Sequence, residues 1–425
     1  PRRSTGKCTR PGRVIEEHFE FHPVTGGRLP EPAKGIVPPR SRGRIYQQTS
    51  FHAAKIAFFI VERKPYIWQM RTFANPILPI LAAAACLSCE DGNGYREPEF
   101  LSERTAGFEL IGEPLPINPI GDIHIYGDCI LVCGHDTVSG NTFHVYCKES
   151  GERLMSSILF GGDPGCTYAG YEMSTLHNGT MSYVDHLENM ELAFSVDDML
   201  HQNVPTVMQS FILRPGSNIR TWSMGEQLLY LNNTYTDSLS GTSRLELYDK
   251  SLGRIVSASD IRPIENPYLG ECVYSTVSGD VSPDGSKAVF GTWRGAILET
   301  YSIMDSIRLI SLNRYIEPLV KILLRHNHRS HHYEHMEQSR LGFRDIFAGN
   351  DRIYTAYDGI NKVKYMPEDA PMFTRVAIFG WDGQPIELIS TGMEIGRLCC
   401  DEKENTVYAV TKDRDGRLRL GRLQL

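Results

Sequence analysis

The sequence predicts an all-β protein, a six-bladed β-propeller over residues 115–425 with one helical insertion at about 313–340. Three observations predict it. From residue 115 onward, β-branched and aromatic runs alternate with Gly, Asn and Asp turns, the pattern of short strands joined by tight hairpins. One strand–turn–strand unit recurs six times, roughly 50 to 65 residues apart, somewhat longer than common blade repeats. Each unit runs into a third strand and another turn, and a ring of blades with about four strands each is the architecture of a propeller. A single β-sandwich has no use for that many strands.

The units follow in order. Ile120–Tyr126 turns at Gly127-Asp128 into Cys129–Val132, and His177-Asn178-Gly179 precedes Met181–Val184. Met224-Gly225 precedes Leu228–Leu231, and Pro283-Asp284-Gly285 precedes Ala288–Phe290. Gly349-Asn350-Asp351 precedes Ile353–Thr355, and Asp401–Asn405 precedes Val407–Val410. Third strands are visible at Phe143–Tyr146, Arg244–Tyr248 and Val376–Phe379. The final run, Leu418–Leu423, alternates cleanly and is expected to close the ring within the first or last blade. Asp413-Arg414-Asp415-Gly416 reads as a hairpin turn rather than an acidic site.

One stretch breaks the rhythm. Ile316, Leu319, Val320, Leu323 and Leu324 recur at helical spacing, which predicts an amphipathic helix. It leads into His326, His328, His331, His332 and His335. On a continued helix His328, His331 and His335 share a face, with His331 and His335 one turn apart, a transition-metal spacing. Only Glu334 and Glu337 stand near enough to complete such a set, so a solvated polar helix end is the preferred reading and no metal is assigned.

Charge and composition bound the function. Hydrophobic residues make up 41% and charged residues 22%, ordinary for a globular protein. The net charge of −7 is uneven: residues 1–69 carry 13 Lys/Arg against 5 Asp/Glu, and the rest carries 31 against 46. An acidic body argues against general nucleic-acid binding, which needs a basic face to neutralise phosphates.

The first methionine is Met70. Arg71 makes a short basic start, Ile77–Ala85 an apolar run too short to span a bilayer, and Leu87-Ser88-Cys89 follows. Residues 70–88 therefore read as a signal peptide, and 1–69 as upstream sequence foreign to the mature protein or a disordered basic segment. Residues 89–114 read as a tether and entry strand. Of ten cysteines, seven fall in the body beyond Cys89, with no CxxC pair or metal-finger spacing.

Leu87-Ser88-Cys89 resembles a bacterial lipobox, which implies lipidation at Cys89 and the membrane as a partner. Glu90-Asp91 resembles the acidic export signal of Bacteroidetes surface lipoproteins. Val281–Phe290, with its Ser282-Pro283-Asp284-Gly285, is similar to the hairpin of TolB-like propellers. Phe160–Gly165 resembles the Gly/Pro-rich segment of six-bladed TolB-like lipoproteins, although Asp163 and Cys166 depart from that pattern. The resemblance implies a fold and an address at the outer membrane, on its periplasmic or extracellular face.

Propellers bind or act at the mouth of the central channel, lined by the innermost strand of each blade. By the repeat alignment those strands carry Asp122, His124, Tyr171, Arg220, Trp222, Asp280, Asp345 and Arg397. Asp122, Arg220, Asp280, Asp345 and Arg397 are the candidate ligand-binding residues, able to meet a polar ligand or to bond neighbouring blades. No nucleophile elbow, phosphate loop or metal motif is present, so no catalytic residue or cofactor is assigned. The expected function is a lipid-anchored binding or scaffold protein, with a glycan or peptide as ligand. The alternative is a propeller lyase or hydrolase working at the channel mouth.

Overall fold

A computed structural model describes residues 94–159, 174–185, 189–202, 207–213, 218–232, 243–324, 331–360 and 371–425, all within the unit Leu87–Leu425. Cys89, Phe160–Gly165, Cys166, Tyr171 and His328 lie outside the described residues.

Six sheets, antiparallel but for one added edge strand, form the blades. Blade 1 is β3 (Ile117–Tyr126), β4 (Cys129–Asp136), β5 (Asn141–Cys147) and β6 (Arg153–Leu159). Blade 2 is β7 (Ser174–His177), β8 (Thr180–Asp185), β9 (Met190–Ser195) and β10 (Val207–Ile212), with helix α1 (Val196–Gln202) after β9. Blade 3 is β11 (Asn218–Met224), β12 (Gln227–Asn232), β13 (Leu245–Asp249) and β14 (Arg254–Ser259). Helix α2 (Pro267–Tyr274) follows, started by Asn266, whose side chain accepts from the Tyr268 and Leu269 amides. Blade 4 is β15 (Val277–Val281), β16 (Lys287–Thr292), β17 (Ala296–Ser302) and β18 (Arg308–Ile316). Blade 5 is β21 (Phe343–Ala348), β22 (Arg352–Tyr357), β23 (Arg375–Gly380) and β24 (Pro385–Ser390). Blade 6 is β25 (Ile395–Asp401), β26 (Thr406–Lys412) and β27 (Leu418–Gln424).

Blade 6 takes its fourth strand from the other end of the body. β2 (Glu109–Ile111) pairs antiparallel with β27, and Arg422 grips Glu109 through two hydrogen bonds of 2.8 and 2.9 Å. β1 (Ser102–Thr105) adds a parallel fifth strand to blade 5. The stretch read as a tether and entry strand thus contributes to two blades. The last run of the chain lies inside blade 6, paired on both sides, which leaves it no free edge.

All six turns that organised the sequence reading join the first and second strands of a blade. Their composition follows from backbone geometry. At Asn178-Gly179 both φ angles are positive, 49° and 75°, as a two-residue hairpin of right-handed strands demands. Cores form between blades: Trp222, Leu229 and Leu247 of blade 3 pack against Phe290, Ile297 and Tyr301 of blade 4. Beside that core the buried Arg244 makes two 2.8 Å bonds to the buried Glu299.

The expected helix at about 313–340 does not form. Ile316 ends β18, and a separate hairpin follows, β19 (Val320–Leu324) with β20 (His331–His335), pairing Val320 with His335 and Leu324 with His331. A helix here would carry Pro318 in its interior, losing a hydrogen bond and clashing with an upstream carbonyl. Val320–Leu324 also suits a strand, and pairing with the histidine segment decides it. The one-turn spacing of His331 and His335 disappears with the helix. In a strand His331 and His335 stand about 13 Å apart rather than one turn. His335 instead meets the Ser339 hydroxyl at 3.3 Å.

Candidate functional site

The innermost strands β3, β7, β11, β15, β21 and β25 run side by side around the axis, and their polar side chains meet in a narrow neck. Asp122, Arg220, Asp280, Asp345 and Arg397 are brought together there. Arg220 stands 3.8 Å from Asp122, and Arg397 lies 3.9 Å from Asp122 and 3.5 Å from Asp345. The space that Asp122, Arg220, Asp280 and Asp345 line is about 30 Å³, room for about one water.

The three aspartates share one task. Asp122 of β3 accepts the Ser174 amide of β7 at 2.7 Å. Asp280 of β15 accepts the Ala348 amide of β21 at 2.9 Å, and Asp345 of β21 accepts the Leu398 amide of β25 at 2.8 Å. Each carboxylate therefore latches its own blade to the next. Arg397 of β25 ties blade 6 back to blade 1 by donating to the Gly121 carbonyl of β3. Thr175 plays the same part between blades 2 and 3, accepting the Ser223 amide at 3.3 Å.

Enclosure perturbs these groups. Burial raises Asp280 to about 7, helped by the Asp122 and Asp345 charges and opposed by the Ala348 and Val281 amides. Burial also raises Asp345, against the pull of Arg397 and the Leu398 amide. His124, bonded to the Ser174 hydroxyl at 2.9 Å, is lowered by burial, with Asp122 opposing.

At the C-terminal ends of these strands the neck opens into a mouth of about 540 Å³. Its wall is made by the first turns of five blades: Tyr126–Asp128, Asn178-Gly179, Pro283, Asn350 and Asp401–Glu404. Lys148, one residue beyond β5, bonds Asp401 and Glu404 at 2.8 Å each and ties blade 1 to blade 6. Glu402 accepts both the Asn350 amide and its side-chain amide, at 2.7 and 3.0 Å, tying blade 6 to blade 5. At the opposite ends of the strands is a second cavity of about 610 Å³, whose charged lining is Arg344, Arg397, Lys412 and Arg417.

Repeat alignment located the five neck residues. It missed Lys148, Asn350 and Glu402. One signal was available for Lys148: Tyr146-Cys147-Lys148 and Tyr248-Asp249-Lys250 end equivalent third strands, and Lys250 likewise forms a buried pair, 2.6 Å from Glu191. Among the described residues no group of three His, Cys, Asp or Glu side chains is arranged to hold a metal.

No family model and no curated protein matches the chain. Solved structures do. A Bacteroides fragilis protein, provisionally described as exported, is 12% identical with a TM-score of 0.45, covering 76% of this chain and 99% of its own. A member of the duf4221 family from Bacteroides vulgatus is 8% identical with a TM-score of 0.42, covering 74% and 97%. A protein of the Carbohydrate-Active Enzymes family AA12 from Trichoderma reesei is 12% identical with a TM-score of 0.44, covering 79% and 100%. The likeness extends to the fold and no further.

Proposed function

We propose that this propeller is a binding protein that seats a polar ligand, a glycan or a peptide, in the mouth of its central channel. It would be held at the outer membrane or cell surface by lipid on Cys89, in keeping with the TolB-like lipoprotein resemblance. One observation carries the reading. The neck aspartates are occupied in bonding blade to blade, while the mouth above them gathers further polar side chains from four blades around an open cup. Side chains drawn from separate blades converge there on one volume, as specific binding requires. Asn350, Glu402 and Lys403 offer donors and acceptors for hydroxyl or amide groups, and Tyr126 and Phe347 offer flat apolar surface.

The test is a glycan and peptide panel screened against the purified protein, followed by calorimetry on any hit. Glu402→Ala and Lys403→Ala should weaken a hit at least tenfold. A panel without saturable binding, or binding indifferent to both variants, overturns the reading. The anchor is checked separately, by mass spectrometry for lipid on Cys89 in membrane-extracted protein.

A further inference from the structure

Six cysteines are described, all with free thiols. Cys133, Cys272, Cys399 and Cys400 are buried, whereas Cys129 and Cys147 are partly exposed. These two face each other. Cys129 opens β4, Cys147 closes β5, and they are direct partners in the register of the two strands.

The kind of partnership matters. The Lys148 amide donates to the Asp128 carbonyl of the facing strand at 2.9 Å, while the Cys147 amide turns away and donates to Glu152 at 2.8 Å. Hydrogen-bonded and non-bonded positions alternate along an antiparallel pair, so Cys129 and Cys147 occupy a non-bonded position. Such a position sets its Cα atoms about 4.5 Å apart, with both side chains on one face of the sheet. Disulfides span Cα separations of about 4.4–6.8 Å, so the bond needs no rearrangement of the strands. The adjacent Cys399 and Cys400 differ: they alternate across their strand, one packed toward blade 1 and the other within the core of blades 5 and 6.

The two thiols are also unequal. The Ser150 hydroxyl and the amides of Ser150 and Glu149 hold Cys147 below the usual thiol range. Burial raises Cys129, and the neighbouring Asp128 adds to it. Cys147 is thus the better nucleophile and Cys129 the resolving thiol.

We propose that Cys129 and Cys147 are a redox pair that closes to a cross-strand disulfide by exchange with a small or protein disulfide. The Cys147 thiolate attacks one sulfur of the oxidant, whose other sulfur departs as a thiolate. Cys129 then loses its proton, attacks the Cys147 sulfur of the mixed disulfide and expels the second oxidant sulfur. Two cysteine thiols are oxidised, one disulfide is reduced to two thiols, and both protons end on the departing sulfurs. The bond would pin β4 to β5 beside Asp128 and Lys148, which line the mouth. This inference stands independently of what the mouth binds.

The experiment equilibrates the full chain in glutathione buffers of rising oxidised fraction, quenches with acid, alkylates and maps the peptides. The expected product is a Cys129–Cys147 linked peptide, reversible on return to reduced glutathione. Cys129→Ser should stop at a glutathione adduct on Cys147. The proposal is overturned if both thiols of the unmutated chain alkylate fully in excess oxidised glutathione. It is equally overturned by a stable Cys147 adduct beside a free Cys129, or by linkage of either to a third cysteine. The readings on the unmutated chain decide the matter even if the variant does not fold.

Discussion

The neck and the mouth of the channel use the same chemistry for different ends. In the neck, Asp122, Asp280 and Asp345 project from strands and accept backbone amides of the next blade. In the mouth, Asp401, Glu402 and Glu404 sit on a turn, tied by side-chain bonds to Lys148 and Asn350 and partly open to solvent. The neck carboxylates replace water with fixed donors in a space that holds about one water molecule. Their loss is therefore a loss of fold. The mouth carboxylates keep a solvated side, so their loss should be felt first by whatever occupies the cup. The lesson is that a conspicuous ionisable cluster on a propeller axis can be the fastening of the ring, with the binding surface one turn further out.

The largest effect is expected from Asp345→Ala. It strands the Leu398 amide and removes one of the two carboxylates beside Arg397, so urea unfolding should show a loss of about 2–4 kcal/mol. Next is Lys148→Met, which leaves Asp401 without its ammonium at a largely buried position. A loss of about 1–3 kcal/mol is expected, and an unchanged midpoint would show that the blade 6–blade 1 tie is not structural.

The two regions should also answer pH in opposite senses. Asp280 is raised to about 7 from an ordinary 3.8, so the folded state holds its proton over that window and the unfolded state does not. Its contribution to stability falls as pH rises from about 4 to about 7 and is level above, and Asp280→Asn should flatten that decline. Burial opposes the ionisation of Asp401, yet the Lys148 bond and the Glu404 and Lys403 amides hold it below its ordinary value. Its contribution is full above pH 3.8 and is lost as pH falls below that, a loss that Lys148→Met should reduce. Thermal unfolding across pH 3 to 8 on the three proteins separates the two senses. The smallest effect on stability is expected from Lys403→Ala, an exposed turn residue: below about 0.5 kcal/mol, with its effect confined to ligand binding.

Much of this was legible before the structure. Five of the six first turns stood out because their geometry needs a residue that tolerates positive φ, as at Asn178-Gly179, and the sixth, Gly349-Asn350-Asp351, stood out by its turn-forming composition alone. Placing those turns placed the strands before them, and hence the neck residues. The helix at 313–340 was misread because Ile316, Leu319, Val320, Leu323 and Leu324 fit a helical period, although Ile316 ends β18 and only the last three belong to β19. The arbiter, pairing with His331–His335, lay further along the chain. What the neck aspartates bond to was also hidden. Their partners are backbone amides 52, 53 and 68 residues away, and every residue but proline has an amide, so no side-chain signal marks them.

By itself, then, the chain determined the strands and turns of its blades and the number of those blades, because these follow from short-range steric preference and alternation repeated along the sequence. Only the tertiary structure decided which carboxylates became latches and which were left at the mouth. It also decided that β2 would complete the last blade and that Cys129 would face Cys147. Those outcomes depend on register and ring closure between segments far apart in the chain, where burial and geometry rather than residue type select the partner.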